Sequence, residues 1–118
     1  MKLVIAGGRD IDCDHGLIGS LLATLNLWPD LTEIVSGGAL GVDFAAESYA
    51  VDTGTDFKLF EADWDKHGRA AGPIRNKQMA EYAHALLLIW DGKSRGSANM
   101  KKQMESLGKP IYEVILKT

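Results

Sequence analysis

Short apolar segments alternate with segments of helical period along this chain of 118 residues. The apolar segments comprise residues 3–6, 33–35, 57–59, 85–90 and 111–116. After residue 41, apolar side chains recur with the spacing of one helix face, at Val42, Ala45, Ala46, Tyr49 and Ala50. The resulting order, β-α-β-α-β-loop-α-β-α-β, predicts an α/β protein whose parallel sheet has helices on both faces.

The pattern predicts a three-layer α/β/α sandwich with five mainly parallel strands in the order 3-2-1-4-5. Residues 61–72 show no clear period and are interpreted as a loop. Pro73 suits the first position of a helix that runs to about Tyr82. On the last helix we expect Met100, Met104 and Leu107 to face inward.

Length and composition limit the function classes. A chain of this length forms one domain, which we assign to residues 1–118. The formal net charge of −3 excludes a strongly basic footprint, so we do not expect a nucleic-acid partner. Cys13 is the sole cysteine, which excludes a disulfide framework. No apolar stretch suits a signal peptide or a membrane span, and we therefore expect a cytoplasmic protein without a membrane partner.

Three of the predicted strand-to-helix loops are rich in glycine and small polar residues. Such loops lie at the carboxyl ends of parallel strands, where ligands bind in open α/β folds. The first holds Gly7, Gly8 and Arg9; the second holds Ser36, Gly37, Gly38, Ala39, Gly41 and Asp43; the third holds Asp91, Ser94, Gly96 and Ser97. Amides at a helix N-terminus attract anions, and this favours a phosphate or nucleotide. Turn formation and close helix–strand packing also explain glycines there.

The second loop does not match either of two well-known nucleotide-binding motifs. The spacing of Gly37, Gly38 and Gly41 differs from the dinucleotide fingerprint, and no Gly-Lys-Ser/Thr of a Walker A loop follows. The helix after Pro73 adds two further candidate site residues, Arg75 and Asn76, which we place in its first turn. An arginine in the first turn interacts unfavourably with the helix dipole, and this cost suggests that Arg75 has a functional role.

Other clusters give weaker signals. Asp12, Cys13, Asp14 and His15 are adjacent and do not easily converge on one ion, so we predict no metal site and interpret Asp14 as a helix cap. We interpret Asp63, Asp65 and His67 as a solvated face. The sequence identifies no cofactor beyond a nucleotide-type ligand and leaves a divalent metal open.

Four segments in order, 36–43, 62–64, 68–76 and 94–97, resemble the SLOG superfamily, and within it the YspA/YpsA-related family. The resemblance implies a Rossmann-like domain that binds a nucleotide or nucleotide-derived molecule as a sensor or sequestering module. It also implies phosphate contacts at the three glycine loops, with Arg75 and Asn76 lining the pocket. This family often has an arginine where Leu40 stands here.

Two other SLOG groups define the alternatives. In cytokinin-activating phosphoribohydrolases a catalytic glutamate occupies the position of Met100, so that enzyme activity is not implied here. A nucleotide-processing enzyme that cleaves a glycosidic or phosphate-ester bond with Asp43, Asp63 or Asp91 remains the alternative. DNA-processing protein A shares the second loop and binds single-stranded DNA, but the present sequence offers no obvious aromatic stacking platform. We also expect a homo-oligomer, since a small α/β domain with exposed edge strands can pair between copies.

Overall fold

The computed structural model describes residues 1–116. Its strands are β1 (Lys2–Gly7), β2 (Glu33–Ser36), β3 (Asp56–Leu59), β4 (Ala85–Trp90) and β5 (Ile111–Ile115). Its α-helices are α1 (His15–Thr24), α2 (Val42–Thr53), α3 (Trp64–His67), α4 (Ala71–Tyr82) and α5 (Arg95–Ser106). Two short 3₁₀ turns span Trp28–Asp30 and Gly68–Ala70. None of the helices within these residues is long and apolar enough to cross a membrane.

The five strands form one sheet in the order β3-β2-β1-β4-β5, and every pairing is parallel. The predicted α/β class and strand order are therefore confirmed. The central pair runs from Leu3 opposite Ala85 to Gly7 opposite Ile89. The chain leaves β1 toward one side of the sheet and β4 toward the other, and this reversal opens a crevice at their carboxyl ends.

Each face of the sheet has its own apolar core because successive strand side chains point in opposite directions. Leu3 and Ile5 of β1 pack with α1 and α2 through residues such as Ile18, Leu22 and Ala46. Val4 and Ala6 face the opposite side and pack with α4 and α5 through Met79, Ala80, Met100 and Met104. All six residues of β4 are buried, as its apolar run predicts for a strand covered on both faces.

The interpretation of residues 61–72 as a loop is wrong. Residues 64–67 form α3, a 3₁₀ turn follows, and α4 begins at Ala71 rather than at Pro73. The side chain of Asp63 accepts a hydrogen bond from the Lys66 amide at 3.1 Å and caps α3. These turns are short and largely exposed, so they show no apolar period. Arg75 and Asn76, predicted in the first helical turn, consequently lie in the second turn of α4.

Leu107 is the one predicted core residue of α5 that does not point inward. Met100 and Met104 are buried, whereas Leu107 is 47% exposed. The helix ends at Ser106, so Leu107 is the C-terminal cap and leaves the buried face. The predicted cap at Asp14 is confirmed, because its side chain accepts from the Leu17 amide at 2.9 Å.

Lys109 joins the segment before β5 to the end of α4. Its ammonium group donates to the carbonyl oxygens of Ala80, Glu81 and Ala83 at 2.7, 3.1 and 2.7 Å. The last carbonyls of a helix have no intrahelical donor, and a cation there also interacts favourably with the helix dipole. Lys109 thus donates hydrogen bonds to carbonyl oxygens at the C-terminal end of α4 from the segment before β5.

We predict that Lys109→Ala lowers the free energy of unfolding by about 2 kcal/mol, because half-buried carbonyls lose a charged donor. Chemical denaturation measures this change. Lys102→Ala removes the same side chain from an exposed position of α5 and should change stability by no more than about 0.5 kcal/mol. Equal effects in the two variants would contradict the capping role.

Candidate functional site

The carboxyl ends of the strands border a cleft of about 790 Å³. Its buried side is formed by the end of β1 and by Met79 and Met100. The predicted site residues that line it are Gly7, Arg9, Gly37, Gly38, Ala39, Asp43, Arg75, Asn76, Ser94, Gly96 and Ser97. The structure therefore brings the four separate sequence segments to one concave surface at the point where the strand order reverses.

Within the described residues, the other four predicted site residues lie outside the cleft lining. Ser36 is buried, and its hydroxyl accepts from the Gly38 amide at 3.3 Å. A Cβ atom at Gly41 would overlap the carbonyl oxygen of Gly8, and one at Gly8 would lie 2.6 Å from Ile11 Cγ1. The Asp91 carboxylate accepts hydrogen bonds from the backbone amides of Lys93 and Ser94, the two residues before α5. These four residues shape the loops that carry the lining.

Asp43 occupies the anion position of the loop between β2 and α2. This carboxylate lies in the first turn of α2 and accepts from the Ala39 amide at 3.2 Å. Because Asp43 and the Ser36 hydroxyl hold the amides of Ala39 and Gly38, these two N–H groups are already engaged within the loop. The N–H cradle predicted for this loop stays a prediction, and of these two amides one donates to the Asp43 carboxylate and the other to the Ser36 hydroxyl.

Two opposing effects act on the ionisation of Asp43. The side chain is 6% exposed, and burial raises its pKa above the ordinary value near 3.8. Hydrogen bonds from the Ala39, Gly7 and Gly37 amides and the nearby charge of Arg75 oppose that rise. Burial in turn lowers the pKa of Arg75, and the Asp43 carboxylate opposes that shift. Asp43 and Arg75, both in the cleft lining, thus oppose the effect of burial on each other's ionisation.

Arg75 and Asn76 connect three walls of the cleft. The Arg75 guanidinium donates to the Gly37 carbonyl oxygen at 2.8 Å and to Asn76 Oδ1 at 3.0 Å. Asn76 is buried and donates to the carbonyl oxygen of Gly96 and to Asn99 Oδ1 at 3.3 and 3.0 Å. A Cβ atom at Gly37 would lie 2.6 Å from Arg75 Nη1, which explains the glycine. Arg75 keeps further N–H donors for a ligand, since a guanidinium has five.

The start of α5 presents free backbone donors to the cleft. Ser94 is the N-cap, and its hydroxyl accepts from the Ser97 amide at 3.4 Å. The amides of Arg95 and Gly96 occupy the first two helical positions, which have no intrahelical acceptor. A Cβ atom at Gly96 would meet nothing within 4 Å, so its backbone faces open space. This helix start, unlike that of α2, is accessible to an external anion.

The cleft is lined by more positive than negative side chains although the whole chain is acidic. Its four arginines are Arg9, Arg69, Arg75 and Arg95, and its two carboxylates are Asp43 and Glu61. Over residues 1–116, the ion pairs within 4 Å are His15–Asp52 and Lys101–Glu113, so none of the cleft arginines is held in one. No group of three or more His, Cys, Asp and Glu side chains suited to a metal ion occurs in the same range. An organic anion matches these features better than a cation does.

Several lining residues were missed by the sequence analysis, chiefly Leu59, Glu61, Trp64, Arg69 and Asn99. Most belong to or flank the segment that was interpreted as a loop. Trp64 bears on the expectation of no obvious aromatic stacking platform, because it lines the cleft and is 60% exposed. The sequence signal was an aspartate, Asp63, directly before a tryptophan, whereas the exposure of Trp64 is visible only in the structure.

The first part of the chain determines its family. The sequence model of the YspA, cpYpsA-related SLOG family matches residues 1–67, which is more than half of the chain. The chain belongs to this family. The matched part of this SLOG protein runs from β1 to α3 and includes the first two glycine loops and Trp64.

Two further comparisons identify similar proteins. The Gene 61 protein of Mycobacterium phage D29 is 28% identical over an alignment 118 residues long, which covers 94% of this chain and 94% of that protein. The X-ray structure of DNA processing protein A from Streptococcus pneumoniae matches 98% of this chain with a TM-score of 0.75 and 18% identity. The SLOG chain spans 50% of that structure's chain. At this identity the likeness shows a shared fold.

We predict that Asp43→Asn changes how stability depends on pH. A pKa raised by folding stabilises the folded state most at low pH, and that contribution is lost as pH rises through the folded-state pKa. Asparagine does not titrate, so the variant does not lose this contribution as pH rises. The unfolding free energy of the variant minus that of the parent should therefore increase above about pH 4, by at most about 1.4 kcal/mol per pH unit. Urea denaturation between pH 4 and pH 7, about three units, measures the difference. Asp10→Asn, at an exposed position, controls for the loss of one negative charge, and parallel curves for both variants would contradict the prediction.

Proposed function

We propose that the cleft binds a nucleotide or nucleotide-derived small molecule and that the protein acts as a sensor or sequestering module. Membership of the SLOG family supports a nucleotide-related role. The volume of about 790 Å³ suits such a ligand, since small-molecule sites usually measure about 300–1,000 Å³. The location, at the strand-order reversal of a parallel sheet, is where open α/β folds bind ligands.

Gly96 is the single observation on which the phosphate assignment rests. Most other glycines of the site are required by the fold: Gly37 by Arg75, Gly41 by the Gly8 carbonyl and Gly38 by its φ of 77°. Gly96 has neither a close neighbour nor a positive φ, and it stands in the second position of α5. Alanine there would favour the helix, so the fold alone gives no reason for glycine. A ligand anion approaching the Arg95 and Gly96 amides supplies the reason.

The charges around Gly96 support the same anion position. Arg95 begins the helix, and Arg75 approaches from α4 through the Asn76–Gly96 contact. A guanidinium can bind phosphate through two parallel hydrogen bonds, and a helix N-terminus adds its dipole. We therefore place the phosphate between α5 and Arg75, with the three predicted loops forming the walls.

The carboxylates favour a binding module over a nucleotide-cleaving enzyme. Asp43 is buried and accepts from backbone amides, and Asp63 caps α3. Asp91 accepts from the Lys93 amide, which lowers the pKa of its carboxyl and makes it a poor proton donor. Glu61 is the remaining carboxylate of the cleft, and the enzyme alternative would have to use it. A binder returns its nucleotide unchanged, whereas an enzyme releases free base or phosphate.

We expect Gly96→Ala to separate binding from folding. The new methyl group would occupy the space beside the free amides and weaken nucleotide binding at least about tenfold, a loss of about 1.4 kcal/mol. The unfolding free energy should rise by up to about 1 kcal/mol, because alanine has the higher helix propensity. Calorimetric titration with AMP, ADP and ADP-ribose and chemical denaturation measure the two quantities.

Gly16→Ala is the matched control, since Gly16 holds the same second position in α1 and does not line the cleft. It should leave the affinity for each nucleotide unchanged. Loss of affinity in both variants, or in neither, would remove the phosphate from the α5 start. Chromatography of the incubated nucleotides distinguishes a binder from an enzyme, and tighter binding of a single-stranded oligonucleotide than of any mononucleotide would favour a nucleic-acid ligand. The homo-oligomeric state stays a prediction that native mass spectrometry can measure on the same samples.

A further inference from the structure

We infer that Trp64 is the base-stacking surface of the cleft and that the ligand is bound with its base at α3 and its phosphate at α5. This inference rests on the proposed function, because it assumes that a nucleotide occupies the cleft. It adds the orientation of the nucleotide, the residue that recognises the base and the requirement for a planar base. A sugar phosphate without a base would use only half of the site.

The tryptophan is fixed in place although it is largely exposed. Asp63 caps α3 and thereby sets the backbone of Trp64, the first residue of that helix. A Cβ atom at Gly72 would lie 3.3 Å from Trp64 Cη2, so the tip of the indole rests on the backbone at the start of α4. Gly72 is buried beneath it. The absent side chain at Gly72 makes room for the ring without covering the rest of it.

Most of the indole surface is available to a ligand. Trp64 lines the cleft with 60% of its surface exposed. Leaving so much apolar area in water gives up the free energy that burial of an aromatic side chain provides. A planar base stacked on the ring recovers that energy, and any nucleobase has a face that can do so. Because Trp64 is exposed inside a cleft, a bound base can cover its ring and recover this free energy.

The charges of the cleft orient the nucleotide in the same direction. Glu61 precedes α3 and lines the cleft on the side of Trp64, where a carboxylate repels phosphate and accepts hydrogen bonds from base N–H groups. Arg95 and the free Arg95 and Gly96 amides stand at the α5 start and attract phosphate. Arg69, in the turn after α3, is exposed and lies within reach of the sugar or of a second phosphate.

Another tryptophan provides a matched control. Trp28 is 61% exposed, almost the same as Trp64, but it precedes β2 and therefore lies at the amino-terminal edge of the sheet, opposite the cleft. The third tryptophan, Trp90, is 6% exposed within the core of β4. Trp64→Leu and Trp28→Leu thus remove equally exposed indoles, one inside and one outside the proposed site.

The experiment compares AMP with ribose 5-phosphate in the two variants and the parent protein. Trp64→Leu should weaken AMP binding about 5- to 100-fold, the range expected for one base stacked on an aromatic ring. It should leave the affinity for ribose 5-phosphate unchanged, and Trp64→Phe should restore most of the AMP affinity. Trp28→Leu should alter neither ligand. Tryptophan fluorescence should be quenched by AMP in the parent and in Trp28→Leu, and not in Trp64→Leu.

The outcomes separate the two proposals. If the parent binds no mononucleotide, the proposed function fails and the stacking proposal fails with it. If AMP binds and Trp64→Leu binds it equally well, or loses AMP and ribose 5-phosphate to the same degree, only the stacking proposal is overturned. A base-dependent loss confined to Trp64→Leu supports it. Tighter binding of a single-stranded oligonucleotide than of AMP, also dependent on Trp64, would overturn the small-molecule ligand in favour of nucleic acid.

Discussion

The pairing of β1 with β4 is the constraint on which the rest of the structure depends. These two strands are buried, lie side by side at the centre of the sheet and connect the two apolar cores. A Cβ atom at Gly7 would overlap the carbonyl oxygen of Ile89, so β1 reaches β4 this closely only with glycine at its end. Because the chain departs from these strands toward opposite sides, their ends cannot be covered by a crossover helix. The cleft is a consequence of that topology.

The two helix starts that face the cleft have different tasks. That of α2 is neutralised from within by Asp43, which together with Ser36 and Arg75 gives the glycine loop a fixed shape. That of α5 keeps its first amides free and has open space beside Gly96. One loop is therefore built as a wall and the other as a contact surface. Asn76 joins them, since it bonds to Arg75 on one side and to Gly96 and Asn99 on the other.

The sequence predicts the sheet well because its signals are local. Each strand is a short apolar run, and the run at β4 reports its burial on both faces. The sequence does not predict α3, because a helix of four residues buries no apolar face and therefore shows no apolar period. The feature that marks its start is the hydrogen bond from the Lys66 amide to the Asp63 side chain. The sequence also marks the glycines of the first two loops, but which of them are required for close packing depends on atoms distant in sequence. The Ile89 carbonyl beside Gly7 and the Arg75 guanidinium beside Gly37 are examples.

The position of Asp43 has a consequence for how far the cleft can be altered. Its carboxylate lies in the first turn of α2 and is tethered there by the chain, so it reaches the Ala39 amide without a diffusional encounter. The Ala39 amide at this loop is therefore occupied by one of the protein's own side chains. Replacing Asp43 with a small neutral residue would release the Ala39 amide and remove a carboxylate that interacts with the Arg75 charge. A single substitution there would increase the excess of positive over negative side chains that line the cleft.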